Sequence, residues 1–461
     1  MKTILDPRHA LDNGLADIRR QYQLPDHFPP EALAAADAAS RRAPSAHLDR
    51  TGMRFVTLDP ASSTDLDQAF AIERSGNDLL LHYAIADVAW FVAEGDAVDL
   101  EAWRRGTSQY LPDGKVSLYP PVLSENAASL LTGGPRPAVI FTVRIDAGGD
   151  ARLDNVARAI IRNSAKLAYD SVRDEDLPAN FAALAARVQA AENRRGASRV
   201  EPPEQEVEQH GNGQYELRFR PRLLSEDRNA ALSLAANLAV AEAFRSHKTG
   251  LFRVMPGPDA RATERLRQTA RALGLEWPCM ASLAQFERML NPAEPRQAAF
   301  MMAIRRAGSG ASYQPYEEGV IPWHAAIAAP YAHATAPLRR LADRYVVRAA
   351  LAIANGQPVP DEVEAAFARL PPVMERAGNL GGQIERAVID LAEAVTLQGR
   401  IGETFDALVT EVDERGARIQ LCNDPVVARV ATDGLEPGMP LKVALTEADP
   451  AKRKIAFETV S

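Results

Sequence analysis

The chain has 461 residues, of which 46% are hydrophobic and 25% charged, a composition typical of a globular protein and not of a disordered one. No apolar run approaches the roughly 20 residues that a membrane-spanning helix needs, and the N-terminus lacks the apolar core of a secretory signal. Two cysteines without a CxxC spacing argue against a disulfide framework or a thiolate zinc site, so we expect a cytoplasmic protein. The formal net charge of −8 is unusual for a nucleic-acid binder, because binding to phosphates relies on Lys and Arg.

The first fifty residues are rich in alanine and are interrupted by Pro25, Pro29 and Pro30, which predicts two short helices. The pattern then changes to short apolar runs separated by turn residues. These runs predict β-strands at 55–58, 69–72, 79–86 and 138–143.

Helices dominate after residue 225, where Leu234, Leu238, Ala241 and Phe244 share one helical stripe. A further helix is predicted between Asp259 and Gly274. The C-terminal part returns to strands, whose number and spacing favour a five-stranded barrel such as the OB fold. The predicted strands are 404–410, 417–421, 440–445 and 454–457.

Three aspartates lie close together in the segment TLDPASSTDLDQA (57–69), between two predicted strands. Asp65 and Asp67 point the same way if the segment is extended, and Asp59 can join them if the serine-rich loop folds back. Converging carboxylates repel one another unless a hard cation lies among them, and oxygen ligands favour Mg²⁺ or Mn²⁺ over Zn²⁺. The segment therefore predicts a metal site that activates water for attack on a phosphoryl group.

Two other interpretations of the aspartate segment stay open. Aspartates are common in turns, so the segment could be a polar hairpin loop that faces solvent. A phosphatase of the haloacid dehalogenase type could use Asp65 and Asp67, although its motif normally follows an apolar strand directly and here Ser62-Ser63-Thr64 comes first.

A second segment, YAHATAPLRRLAD (331–343), has the pattern of a helix start with Pro337 in the first turn. Arg339 and Arg340 would then lie in that turn, where the helix dipole disfavours each cation by about 0.3–1 kcal/mol. A bound phosphate would offset this cost, because guanidinium groups and free backbone N–H groups both bind anions. Pairing of the arginines with a nearby carboxylate such as Asp343 is the alternative.

Together the two segments resemble the ribonuclease II (RNB) family of exoribonucleases. The second segment matches the family signature Tyr-x-His-x-Thr-x-Pro-x-Arg-Arg, and the last strands resemble the S1 RNA-binding domain that usually follows. Further motifs match the family in order and spacing, namely AIADV (84–88), RRGTSQYLPD (104–113), AKLAYD (165–170) and LFRV (251–254).

The resemblance implies an α+β chain with three parts. These are a helical N-terminal segment at 1–50, a large mixed RNB catalytic domain at 51–395 and a small S1-like β-barrel of the OB type at 396–461. The sequence leaves no room for the cold-shock domains that commonly precede the RNB domain, so we expect a short form of the family.

The resemblance also implies processive hydrolysis of single-stranded RNA from its 3′ end to nucleoside 5′-monophosphates, with two Mg²⁺ ions or, alternatively, Mn²⁺. Asp59, Asp65 and Asp67 match the metal-binding carboxylates of the family, and Asp67 is also assigned a catalytic role. Arg339 matches the catalytic arginine that contacts phosphate beside the metals.

RNA-binding positions follow in the same way. Tyr110 and Tyr169 match aromatic positions along the RNA path near the 3′ end, with core packing as the alternative for both. Arg340, next to the catalytic arginine, is predicted to bind RNA as well.

Two departures from the family motivate a second hypothesis. Gln68 stands where the family typically has a fourth aspartate, and Ala230-Ala231 stand where it often has a pair of glutamates. A glutamine carbonyl can ligate a hard cation, but without charge. The alternative is therefore a catalytically weak or inactive RNA-binding protein with the RNB fold.

Overall fold

The computed structural model describes residues 2–3, 9–197, 204–209, 214–291, 294–308, 310–413, 416–431 and 434–460. Helices and strands are mixed along most of this length, and strands alone make up the C-terminal part. The helices are α1 (Ala10–Gln21), α2 (Pro30–Ser40), α3 (Val88–Phe91), α4 (Ala97–Arg105), α5 (Phe181–Arg195), α6 (Leu224–Ser246), α7 (Ala260–Ala272), α8 (Leu283–Glu287), α9 (Pro295–Ala307), α10 (Leu341–Ala354) and α11 (Asp361–Leu397).

The strands are short except for β9 (Ala151–Ala168), which has 18 residues. They are β1 (Lys2–Thr3), β2 (Leu48–Asp49), β3 (Phe55–Asp59), β4 (Gln68–Ser75), β5 (Asp78–Ala86), β6 (Gln109–Leu111), β7 (Gly114–Val116), β8 (Pro135–Ile145), β9 (Ala151–Ala168), β10 (Glu204–Gln209), β11 (Tyr215–Arg220), β12 (Leu251–Val254), β13 (Ser312–Pro315), β14 (Trp323–His324), β15 (Ala329–Pro330), β16 (Thr404–Asp413), β17 (Gly416–Leu421), β18 (Val427–Val430), β19 (Pro440–Asp449) and β20 (Lys454–Val460).

A closed β-barrel forms the centre of the large part of the chain, which precedes the C-terminal strands. Strands β3, β4, β5, β8 and β9 follow one another around it, and β9 closes the ring because it pairs with β8 through its first half and with β3 through its second half. Its 18 residues are long enough for both pairings. The aspartate segment connects β3 to β4, so it lies where these neighbouring strands end and begin.

Helix α6 packs against the barrel and is buried around most of its circumference. Leu234, Ala241 and Phe244 of the predicted stripe are buried, and Leu238 is partly buried. The helix contacts β5, β8 and β9 on one side and α5 and α10 on the other. A helix that is apolar on nearly every side belongs inside a protein core, and this position brings the start of α6 next to the ends of β3 and β9.

The helix predicted after Asp259 is confirmed as α7. Its N-cap is Asp259, whose side chain accepts a hydrogen bond from the amide of Ala262 at 2.7 Å, as expected for a capping carboxylate. Helices α7, α8 and α9 pack around their own small core, in which Trp277 stacks on Phe286 at 5.1 Å between ring centroids.

The C-terminal part is a five-stranded antiparallel sheet in the order β18-β17-β16-β19-β20. Its two edge strands also contact each other, so the sheet is nearly closed, which confirms the predicted barrel. Phe405 and Phe457 meet edge to face at 5.8 Å in its interior and are buried. These two rings therefore pack the barrel and do not offer a surface for base stacking.

Candidate active site

The aspartate loop reverses the chain between the antiparallel strands β3 and β4. Asp59 is the last residue of β3, and Asp67 directly precedes β4. Between them, the hydroxyl of Ser129 accepts a hydrogen bond from the amide of Leu66 at 2.8 Å and donates one to the carbonyl of Thr64 at 2.7 Å. This buried clamp holds the loop in one conformation and turns its carboxylates towards one end of the barrel.

Asp67 is the most buried of the three carboxylates, with 5% of the residue exposed. Its Oδ1 accepts a hydrogen bond from the amide of Leu338 at 2.7 Å, and its Oδ2 lies 3.3 Å from Nε of Arg339. Burial raises the pKa of Asp67 to about 7, although the positive charge of Arg339 opposes the rise. The two segments that the sequence singled out thus meet at this carboxylate.

Asp59 faces the same region with one oxygen unused. Its Oδ2 is buried and has no hydrogen-bond partner among the residues that the structure describes. Burial raises the pKa of Asp59 to about 6, while the Arg339 charge opposes the rise and the Asp65 charge adds to it. A buried carboxylate oxygen without a partner is costly unless a ligand or cation satisfies it.

Asp65 is held by the hairpin of β6 and β7. The hydroxyl of Tyr110 donates to its Oδ2 at 3.2 Å, and Nζ of Lys115 lies 2.9 Å from its Oδ1. The Tyr110 residue is 55% exposed, so its ring is not core packing. Sequence reasoning did not single out Lys115, because a lone lysine in a tight hairpin has no signature of its own.

The helix start predicted at Pro337 is wrong. Helix α10 begins at Leu341 with Arg340 as its N-cap, so Arg339 and Arg340 precede the first turn. The reason is that the amide of Leu338 donates to Asp67, and the amide of Ala336 donates to Asp343 at 2.8 Å. These side-chain contacts satisfy the backbone in a turn and delay the helix.

The two arginines have different surroundings. Arg340 forms a two-pronged pair with Asp343, with Nε to Oδ1 at 2.9 Å and Nη2 to Oδ2 at 2.7 Å, which is the alternative that the sequence left open. Arg339 keeps 45% of its side chain exposed beside Asp67 and can reach a ligand. His333 is partly buried, and its Nδ1 forms a hydrogen bond with the Tyr313 hydroxyl at 2.8 Å.

Tyr169 and Gln68 complete the surroundings of the carboxylates. The Tyr169 hydroxyl accepts a hydrogen bond from Asn229 Nδ2 at 2.9 Å, and the same amide group donates to the carbonyl of Leu58 at 3.2 Å. Burial and the nearby charge of Asp59 raise the pKa of Tyr169 to about 12, so the phenol is neutral at ordinary pH. The carbonyl oxygen of Gln68 accepts a hydrogen bond from the hydroxyl of Tyr83.

Whether a metal fits this site depends on its donors. Within the described part of the chain, no group of three or more His, Cys, Asp or Glu side chains is gathered closely enough to hold a metal ion as it stands. The donor set nevertheless suits a hard divalent cation, because Asp59, Asp65 and Asp67 offer only oxygen ligands and Asp59 Oδ2 is buried without a partner among the described residues.

A match to a family profile shows which protein family the chain belongs to. The profile of the RNB domain matches residues 48–355, which include both segments described above. The chain belongs to the RNB family. The profile of the RNase II-type exonuclease C-terminal S1 domain matches residues 403–460, in agreement with the C-terminal barrel of this RNB protein.

Curated relatives of the RNB protein include ribonucleases from several bacteria. Ribonuclease R of Thermotoga maritima is 27% identical over 451 residues, which cover 89% of this chain and 62% of the relative. Exoribonuclease 2 of Cronobacter sakazakii is 29% identical over 404 residues, covering 82% of this chain and 62% of the relative. The chain thus spans about three fifths of the length of these relatives.

Solved structures show the same fold. RNase R of Mycoplasma genitalium, in complex with ribose-methylated single-stranded RNA, has a TM-score of 0.86 at 20% identity and covers 98% of this chain and 78% of its own. Yeast Ssd1, described as a pseudonuclease, has a TM-score of 0.68 at 17% identity, covering 94% of this chain and 57% of its own. No helix among the described residues is long and apolar enough to span a bilayer.

Proposed function

We propose that the chain is a 3′-to-5′ exoribonuclease that degrades single-stranded RNA processively to nucleoside 5′-monophosphates and depends on Mg²⁺ or Mn²⁺. The observation that carries this proposal is the meeting of the buried Asp67 and the partly buried Asp59, whose Oδ2 is itself buried, with the half-exposed Arg339 in an RNB fold. Buried, incompletely compensated carboxylates with raised pKa values are typical of sites that bind a cation or catalyse a reaction.

The metal would be held by Asp59, Asp65 and Asp67. A divalent ion bound there polarises the phosphodiester and lowers the pKa of a bound water. The three carboxylates have different surroundings in the protein. Asp67 is oriented by the Leu338 amide, Asp65 by the β6–β7 hairpin, and Asp59 keeps one oxygen without a partner among the described residues.

Arg339 is proposed to bind the phosphate that reacts. Its Nε is anchored near Asp67, and the exposed remainder of the guanidinium keeps N–H donors for phosphate oxygens. Fixed donors of this kind stabilise charge that develops in the transition state and need no reorganisation when the reaction occurs. Arg340 is already paired with Asp343, so we propose that it reaches RNA only with its remaining N–H groups.

Tyr110 and Tyr169 are proposed to line the RNA path near the 3′ end. Tyr110 is hydrogen-bonded to Asp65 and Tyr169 to Asn229, and the Tyr110 ring is open to solvent. Stacking of a base on an aromatic ring contributes about 1–3 kcal/mol and tolerates any base. This arrangement suits an enzyme that removes nucleotides without regard to sequence.

The domain limits are proposed as the sequence predicts them: a helical segment at 1–50, the catalytic domain at 51–395 and the S1-like barrel at 396–461. A cytoplasmic location, where RNA is accessible, fits this activity. The solved RNA complex of a relative with the same fold supports single-stranded RNA as the ligand.

The test is a gel time course on a 5′-labelled single-stranded RNA with Mg²⁺, with Mn²⁺ and with EDTA. The expected result is conversion of the label to one short end product in either metal and no change in EDTA. Internal cleavage products, or degradation that continues unchanged in EDTA, would contradict the proposal.

A second candidate is an RNA-binding protein with little or no hydrolysis. The observation that favours it is the neutral Gln68, whose carbonyl oxygen already accepts a hydrogen bond from the Tyr83 hydroxyl and brings no negative charge to replace that of a carboxylate ligand. A pseudonuclease with the same fold, yeast Ssd1, is a precedent for loss of activity. This candidate predicts a gel shift with intact RNA at every metal concentration.

A further inference from the structure

The β6–β7 hairpin brings a cation directly onto the aspartate loop. Tyr110 and Lys115 are paired across the hairpin, so their side chains leave the same face. Together they occupy both carboxylate oxygens of Asp65, with Lys115 Nζ at 2.9 Å from Oδ1 and the Tyr110 hydroxyl at 3.2 Å from Oδ2. Asp65 therefore has no oxygen that is free of protein contacts.

Lys115 is shared between two carboxylates and is poorly exposed. Its Nζ also lies 3.2 Å from Oε1 of Glu125 and 3.4 Å from the Thr64 hydroxyl. Only 20% of the Lys115 side chain and 12% of the Asp65 side chain are exposed. Solvent screens such a contact less than an ion pair on the surface, and an ammonium group is a compact point charge. Lys115 thus resembles a small metal ion in its contacts with carboxylate oxygens.

Gln68, the residue after Asp67, also agrees with the binding of one ion instead of two. Gln68 carries no charge, and its carbonyl oxygen accepts the Tyr83 hydrogen bond. Asp59 differs, since its Oδ2 is buried without a partner among the described residues. An incoming cation therefore finds an available buried oxygen at Asp59. Asp67 also has contacts on both oxygens, from the Leu338 amide and from the half-exposed Arg339, but of the three described aspartates only Asp65 is in contact with a lysine ammonium group that lies between two carboxylates.

The charges around the loop lead to the same conclusion. The carboxylates Asp59, Asp65, Asp67 and Glu125 carry four negative charges when they are ionised, and the cations near them include Lys115, Lys166 and Arg339. Arg340 also acts on Asp67, but its charge is balanced by Asp343. The protein contributes a net charge of about −1 here. One divalent ion would change this to about +1, and the incoming phosphate would then bring it to about zero, whereas two ions and the phosphate would leave about +2 in a partly buried site.

We propose that Lys115 takes the place of one cation at this site, so that the protein binds a single divalent ion next to Asp59 and Asp67. Asp65, the third carboxylate of the proposed metal site, is then neutralised by the ammonium group instead of a second ion. The inference rests on the proposed metal-dependent function and deepens it. Lys115 acts through its contacts with Asp65 and Glu125, so it is a positioning residue. The positive charge of Lys115 is part of the protein, so this position is occupied by a cation without the binding of a second metal ion.

The experiment counts bound ions. The full chain is titrated with Mn²⁺, and the free ion is measured by electron paramagnetic resonance for the wild type, Lys115→Met, Lys115→Arg and Lys442→Met. The last variant is a matched control, because Lys442 forms an ion pair of the same length, 2.9 Å, with Asp406 in the C-terminal barrel. Each preparation is also assayed on 5′-labelled RNA.

The expected counts are one Mn²⁺ for the wild type, Lys115→Arg and Lys442→Met, and two for Lys115→Met, because removal of the ammonium group frees Asp65 and Glu125. Two ions in the wild type with degraded RNA would overturn the inference and leave the proposed function intact. No ion in the wild type, with intact RNA, would overturn both. One ion in the wild type and in Lys115→Met alike would show that Lys115 does not occupy a cation position.

Discussion

At the scale of single residues, Arg339 and Arg340 are neighbours in sequence but differ in their contacts and in their proposed roles. Arg339 leaves 45% of its side chain exposed beside Asp67, whereas Arg340 is locked onto Asp343, which is fully buried. Removal of Arg340 breaks the two-pronged ion pair of the buried Asp343, which costs about 3 kcal/mol. Removal of the half-exposed Arg339 breaks one contact of 3.3 Å, and Asp67 keeps the hydrogen bond from the Leu338 amide, so this loss costs about 1 kcal/mol. The pair therefore separates a role in catalysis from a role in folding.

We predict that Arg339→Ala lowers kcat by about 100-fold or more, as does the loss of other fixed donors to a transition state, and lowers the free energy of unfolding by no more than about 1 kcal/mol. Arg340→Ala should instead lower that free energy by about 3 kcal/mol. Single-turnover RNA hydrolysis and urea unfolding measure the two quantities. Equal loss of stability in both variants would contradict this division.

At the scale of elements, the strands that the sequence predicted are found as β3, β4, β5, β8, β16, β17, β19 and β20, because alternation and turn residues are local signals. Strand β9 (Ala151–Ala168), which closes the barrel, was not predicted. The start of α10 was not predictable, since it depends on Asp67 and Asp343, which are bonded to the backbone of the preceding turn. The ion pair between Lys115 and Asp65 was not predicted either, because the two residues are 50 positions apart in the sequence. Contacts between distant segments are invisible to periodicity.

The turn between β8 and β9 gives a prediction about the barrel. Gly149 has a φ of 90°, and a Cβ there would lie 1.9 Å from the Arg187 carbonyl oxygen. Gly149→Ala should therefore lower the free energy of unfolding by about 2 kcal/mol or more, through strain and overpacking.

Gly134→Ala is the matched control for this turn, because a Cβ at Gly134 meets nothing within 4 Å, and it should change stability by less than about 0.5 kcal/mol. Urea unfolding of both variants makes the comparison. A neutral Gly149→Ala variant would show that the turn is free to move away from α5.

At the scale of the whole molecule, helix α11 joins the large part to the C-terminal barrel. Its buried Glu393 accepts hydrogen bonds from the Val427 amide of the barrel at 2.8 Å and from Gln205 of β10 at 2.6 Å. Burial raises the pKa of Glu393 to about 7. The carboxyl is thus half protonated near neutral pH at a junction between three elements.

This junction predicts a dependence of stability on pH. Because the pKa of Glu393 is higher in the folded than in the unfolded chain, the folded state holds the proton more tightly, and its stability falls as the pH rises from about 4.5 to 7. Glu393→Gln should remove this loss and stabilise the protein by about 1–3 kcal/mol at pH 8, with little gain at pH 4.5. Urea unfolding at both pH values tests this, and an equal effect at both would contradict it.

The central claim, that the buried carboxylates make this RNB protein a nuclease, is tested most directly by Asp67→Asn. The variant keeps the shape of the side chain and its hydrogen bond from Leu338 but removes its charge. On a 5′-labelled single-stranded RNA with Mg²⁺, we predict that the wild type shortens the RNA from its 3′ end, while the variant binds the RNA with similar affinity and leaves it intact. Equal degradation by both proteins, or intact RNA with both, would contradict the account.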